Sequence, residues 1–394
     1  MGVNEQKRVL FLGLTTFSRT GGVEKFNKCF LKALSGFEQE YNIASYTISL
    51  HDTIADEKYF PAKNFKGFSS NRLLFIMNSI QKAKDFDYIF IGHINMAIVG
   101  YFIKLFFPKK KVMLVAHGYE VWYPLKGFKK RLVKKADQIL AVSNFTKSKL
   151  VAVQQIDEKK VSIFYNTIDP YFHIPPAFKS NKELRNRYHI LPGDFVLFTL
   201  ARLSFTEGYK GYDMVIKCLP ELIRQIPHLK YVIAGKYDKE EKDRLDHLIQ
   251  ELGIEKAVVF TGFLQEAEVK DHYQMADLFI MPSQGEGFGI VFIEAMACGL
   301  PVIAGNLDGS VDALKGGELG VLVNPHNKEE ITRQIIAQYQ NCKQWTDEDK
   351  HQLQQKTLNY FGFEQYKKRL EKILLEKKQI RSTYELDDCS VMQT

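Results

Sequence analysis

The sequence predicts an α/β protein built from two doubly wound parallel sheets that face one another across a cleft. Three observations lead there. Apolar runs bounded by turn residues recur along the chain with helical patterns between them, which is how strands buried on both faces read. The alternation stops once, at a polar, proline-bearing stretch from 166 to 181, and then begins again. And 394 residues, 45% of them apolar, are enough for two or three domains with cores of their own.

Taken in order, the first series has strands at 8–13, 88–92, 111–116, 138–143 and 161–165, with helices at 23–34 and 144–153. The stretch Asn166-Thr-Ile-Asp-Pro170 opens the linker. The second series has strands at 195–201, 230–234, 257–260, 278–281 and 301–304. A helical segment follows at 363–378, and 381–394 reads as a disordered tail. The division expected is a first domain over 1–170 and a second over 171–360.

Composition narrows the function classes. Five cysteines (Cys29, Cys218, Cys298, Cys342, Cys389) lie far apart with no C-x-x-C pair, against a disulfide scaffold or zinc knuckle and consistent with a reducing compartment. The amino-terminal apolar run is too short for a secretory signal. The best membrane-span candidate, 89–107, carries His93, Asn95 and Lys104 and reads instead as a strand followed by a packed helix. Residues 1–175 hold 26 Lys and Arg against 14 Asp and Glu, whereas 176–394 hold 28 against 32. A basic half beside a mildly acidic one suits contact with an anionic surface. No helix-turn-helix, zinc or RNA-recognition pattern supports nucleic acid.

Ligands of doubly wound sheets bind at the carboxyl ends of strands, where the next helix starts. The segment 281–301, MPSQGEGFGIVFIEAMACGLP, has this form: a strand, a loop with Gly285, Gly287 and Gly289, and a helix opening near Phe288. Glu286 lies in the loop and Glu294 eight residues on, up to about 12 Å along a helix axis. That suits two carboxylates gripping opposite ends of an extended ligand, with a diphosphate over the helix start; a helix-terminus charge plus a surface glutamate is the plainer alternative. Arg202 ends a strand and Lys210 precedes the next helix. Such a pair serves a diphosphate whose charge grows as a bond breaks, or is simply two solvated loop charges. Gly21-Gly22 opens a helix and presents N–H groups, although this is not a G-x-G-x-x-G fingerprint. His117 follows a strand and precedes Gly118; a lone histidine is more often structural than catalytic.

Together these segments resemble the retaining nucleotide-sugar glycosyltransferases of family four, which have the GT-B fold. The frame GEGFGIVFIEAMACGLPVIA with Glu286 and Glu294 carries the likeness. It extends through Thr20-Gly-Gly-Val-Glu24, His117-Gly118, the strand QILAVSNFTK, the NTID linker, Ala201-Arg202-Leu203 and Lys210-Gly211. The resemblance implies a hexosyl transfer with retained configuration, with Arg202 and Lys210 at the diphosphate, Gly22 across the cleft, and Phe288, Gly289 and Ile290 at the helix start. It places Glu286 and His117 at the transferred sugar, Glu294 at the ribose, and Gly235, Lys236, Gly262 and Phe263 near the base. It implies no metal and no cofactor, UDP before GDP as the nucleotide, and helix 363–378 completing the first, acceptor-side domain.

Two departures stand out: Thr167 where the family's linker has glycine, and Asp308-Gly-Ser-Val-Asp312 where it has Gly-Gly-x-x-Glu. The second is expected near the acceptor cleft, where it bears on sugar identity. Two rival functions stay open, a nucleotide-sugar 2-epimerase on the same fold and a non-catalytic sugar-nucleotide-binding protein. The acceptor expected is a glycan or lipid-linked saccharide of surface polysaccharide synthesis. The segment 125–136 sets Phe128, Leu132, Val133 and Ala136 on one helical stripe among Lys126, Lys129, Lys130, Arg131, Lys134 and Lys135. The stripe suits packing on its own sheet, and the charge suits peripheral contact with an anionic membrane from the cytoplasmic side.

Overall fold

The computed structural model describes residues 6–375, so the expected tail at 381–394 and the last turn expected for the final helix lie outside the described residues. The first sheet has seven strands: β1 (Lys7–Gly13), β2 (Ile43–Ser49), β3 (Phe65–Gly67), β4 (Tyr88–Ile91), β5 (Lys111–Ala116), β6 (Gln138–Ala141) and β7 (Val161–Ile163). They lie in the order β3-β2-β1-β4-β5-β6-β7, and every neighbouring pair is parallel. The second has six: β8 (Phe195–Leu200), β9 (Leu229–Ala234), β10 (Val258–Gly262), β11 (Leu278–Met281), β12 (Val302–Gly305) and β13 (Val321–Val323), in the order β10-β9-β8-β11-β12-β13, again all parallel.

Both orders reverse direction once, between β1 and β4 and between β8 and β11. Those reversals open crevices at the strands' carboxyl ends. The innermost strands β1 and β11 are largely apolar because helices cover both faces; Val9–Leu12 and Leu278–Met281 are almost completely buried. The segment at 89–107 is β4 followed by the helix Ala97–Phe106, and no helix among the described residues is long and apolar enough to cross a membrane.

The last helix, Phe363–Leu375, returns to the first sheet's domain. Its Tyr366 packs among Phe26 and Phe164, and Leu374 carbonyl accepts from Lys7 Nζ at 2.7 Å. The linker is tied to the same region, since Thr167 Oγ1 and the Ile168 N–H both donate to the Phe361 carbonyl. Thr167 is therefore built into the chain crossing, with its hydroxyl satisfied, where a glycine would leave that bond unmade.

Candidate active site between the two domains

β11 ends in the loop 282–289, and the next helix starts at Ile290, two residues later than the sequence suggests, because Gly289 caps it in a left-handed conformation. The loop is wedged between two backbones. A Cβ on Gly287 would stand 1.8 Å from the His117 carbonyl oxygen of the first domain, and one on Gly309 would stand 2.1 Å from the Gly287 carbonyl oxygen. Only glycine permits either approach.

Glu286 forms an ion pair with Lys210, both side chains mostly buried. Burial pulls the Lys210 ammonium down, but Glu286, Tyr209 and Glu207 together hold the pKa above the ordinary value. The sequence-predicted cation pair is thus split: Lys210 sits inside with Glu286, while Arg202 is 69% exposed at the rim and pairs with Glu207. Beneath Glu286 lies Asp308. Its fully buried carboxylate accepts from the Glu286 N–H at 2.7 Å and the Ser310 N–H at 2.9 Å, and the Gly309 N–H donates to the Glu286 carbonyl at 2.9 Å. Burial raises the Asp308 pKa to about 6 against these bonds.

Glu294 is not on the surface. It is wholly buried, paired with Lys25 from the first turn of the helix Gly22–Tyr41, and accepts from the Tyr273 hydroxyl at 3.1 Å. This ion pair joins the two domains. A second bridge lies at Asp312, which accepts from the Asn144 N–H at 3.0 Å and from the Asn144 side-chain amide at 2.6 Å. Tyr119 stacks on Tyr209 across the same gap, ring centroids 5.9 Å apart.

On the first-domain side, His117 Nε2 bonds the Gly92 carbonyl at 2.7 Å, which makes Nε2 the protonated nitrogen of a neutral ring. Burial lowers its pKa. His93, at the end of β4, lies nearly parallel to it at 6.0 Å, and its Nδ1 accepts from the Asn95 N–H. Burial takes His93 down to about 4. Gly22 faces open space at the helix start.

Some expected ligand residues have other work. Phe288 is buried against Tyr165 and Phe361, and Ile290 is buried too, so only their main-chain N–H groups remain for a ligand. Gly235 meets the Ala201 carbonyl so closely that any Cβ would collide, a packing demand between strand ends. Lys236 and Phe263 are exposed, and Gly262 borders open space. The segment 308–312, expected near the acceptor cleft, contacts the Glu286 backbone and bridges the domains. Sequence reading assigned no site role to Lys25, His93 or Tyr273, and it singled out Asp308 without its bond to Glu286. The signals available were Lys25 one turn beyond Gly22 and His93 just past a strand's carboxyl end.

Two facing Rossmann-like domains, each built on a parallel sheet, define the GT-B fold class. Family models agree: Glycosyltransferase Family 4 matches residues 20–172 and Glycosyl transferases group 1 matches 180–357. The chain belongs to this glycosyltransferase family.

Among its relatives is a GDP-mannose-dependent alpha-(1-6)-phosphatidylinositol monomannoside mannosyltransferase of Mycolicibacterium smegmatis, 29% identical over 57% of this chain and 60% of that protein. An uncharacterized glycosyltransferase, MJ1607, of Methanocaldococcus jannaschii is 31% identical over 49% and 48%. The chain spans about half the length of the curated relatives it matches. Anabaena Alr3699/HepE, solved in complex with UDP, shares the fold with a TM-score of 0.75 at 21% identity, covering 93% of this chain and 99% of that one.

Proposed function

We propose that the protein is a retaining glycosyltransferase that moves a hexosyl unit from a nucleoside-diphosphate sugar to a glycan or lipid-linked saccharide in surface polysaccharide synthesis. The observation that carries the reading is the Lys210–Glu286 pair, held on a glycine-rich loop against His117 of the facing domain. A donor divides that pair: its diphosphate takes Lys210, and its sugar hydroxyls take Glu286. As the anomeric C–O bond breaks, the diphosphate leaves with the electron pair, and Lys210, Arg202 and the N–H groups at 22 and 288–290 offset the growing charge. The acceptor hydroxyl bonds the anomeric carbon on the same face and passes its proton to the leaving phosphate oxygen. Glu286 positions the sugar, and the neutral His117 ring contacts it. Glu294 grips the ribose in exchange for Lys25.

The named relatives and neighbours point both ways on the base, one using GDP-mannose and another holding UDP. A thermal-shift panel of UDP, GDP, ADP and their common sugars separates them, since ligand at 100 times its dissociation constant adds roughly 2.7 kcal/mol. Glu286→Gln should then cut donor turnover by orders of magnitude while nucleotide affinity stays within a few-fold. An inverted anomer in the product, or conversion of the donor sugar with no acceptor present, would overturn the reading.

For the acceptor side, the helix Gly127–Lys135 buries Leu132 and Val133 and leaves Lys130, Arg131, Lys134 and Lys135 exposed. Phe128 on this helix and Leu105 and Phe106 on the neighbouring helix Ala97–Phe106 are exposed, and Leu73 and Met77 follow on the helix Arg72–Ala83. Apolar side chains rimmed by cations suit insertion at an anionic leaflet, with each cation near the surface contributing about 1 kcal/mol.

A further inference from the structure

We propose that the segment 308–312 couples domain closure to the placement of Glu286, with Asp312 gripping the first domain and Asp308 holding the catalytic loop. This rests on the reading of Glu286 as the carboxylate that contacts the sugar.

The segment has two ends with different partners. Asp312 accepts two hydrogen bonds from Asn144, the first residue of the helix Asn144–Ala152 in the facing domain. Asp308, four residues earlier, spends one oxygen on the Glu286 N–H and the other on the Ser310 N–H. The Gly309 N–H adds a third tie, to the Glu286 carbonyl. The chain between the two aspartates turns at once, since the Val311 N–H donates to the Asp308 carbonyl at 3.4 Å and the Asp312 N–H to the Gly309 carbonyl at 3.1 Å. A displacement of Asp312 therefore reaches Asp308 with little slack to absorb it.

The loop being held has no freedom on its other side. Gly287 lies against the His117 and Gly118 backbone of the first domain. With the domains closed, Glu286 is clamped from below by 308–310 and from above by 117–118. With the domains apart, Asp312 loses its first-domain donors and the upper contact is gone. The Glu286 backbone is then held on both sides when the cleft is shut and on one side when it is open, so the loop that carries the sugar-contacting group is completed by the same motion that encloses the substrate. The two aspartates by which this segment departs from the family's Gly-Gly-x-x-Glu, Asp308 and Asp312, are both used in this arrangement.

The test is amide exchange of the full chain, followed at residues 286, 309 and 310 relative to amides of β8 and β9, which report global stability. Asn144→Ala removes one of the two cross-domain bonds and Asp312→Ala removes both; neither touches Glu286 or Asp308. Exchange at the three amides should quicken in that order, by roughly tenfold for Asp312→Ala, with β8 and β9 unchanged. With UDP-glucose and GDP-mannose as probe donors, kcat for nucleotide release should fall while KM stays within twofold. Unchanged exchange at 286 and 310 in Asp312→Ala, or equal acceleration throughout the second domain, overturns the coupling. Full turnover in Glu286→Gln would instead overturn the functional reading beneath it.

Discussion

Asp308 makes a pH prediction whose size follows from its surroundings. Its carboxyl is held at about 6 by burial, against an ordinary 3.8. The difference corresponds to about 3 kcal/mol of cost to the fold when the group is charged. The native pKa lies above the unfolded one, so between pH 4 and 6 the native state keeps a proton that the unfolded chain has released. Stability from this group is therefore greatest below pH 4, falls as pH rises to 6, and is level above that. Asp308→Asn removes the titration at the expense of one acceptor bond, worth about 1 kcal/mol. Urea unfolding of both proteins from pH 4 to 7 isolates the term, because the other titrating groups cancel in the difference. The variant should gain about 3 kcal/mol on wild type across that range. Donor turnover should move the opposite way: protonated Asp308 turns one oxygen into a donor facing an N–H, so wild-type activity falls below pH 6. A difference in unfolding free energy that does not change with pH would refute the burial argument.

Lys25→Met leaves Glu294 buried with only Tyr273, a change expected to cost about 3–5 kcal/mol, and the double variant with Glu294→Gln should recover most of it in a thermodynamic cycle. The same single variant should enlarge the radius of gyration measured by X-ray scattering, since it cuts one of the bridges across the cleft. Phe288→Ala should destabilise by about 3–5 kcal/mol in urea unfolding, as a core ring and not as a ligand contact. Wild type should sediment with anionic vesicles at low salt and lose binding as salt rises, and changing Lys129, Lys130, Lys134 and Lys135 to Ser should abolish it; equal sedimentation of both proteins would remove the membrane contact.

What the sequence reveals of this fold, and what it conceals, follows from how each element is buried. Central strands such as β1 and β11 read plainly because both faces are covered and nearly every residue is apolar. β2 escapes notice although it is central, because Ser45, Thr47 and Ser49 occupy buried positions in IASYTIS. β3 and β13, three residues each, are too short to leave a period. In the site, Glu286 and Lys210 are legible because glycine spacing marks the loop that holds one and a strand–helix junction marks the other. The partner of Glu294 is not, since Lys25 lies 269 residues away in the other domain. Yet the sequence does carry half of that fact. Glu294 stands in IVFIEAMA, a helix apolar on every face, and such a helix is buried all round. A carboxylate buried there must be paired or give up its charge. The local sequence thus demands a partner or a proton for Glu294, and only the closing of one domain on the other decides that Lys25 answers it.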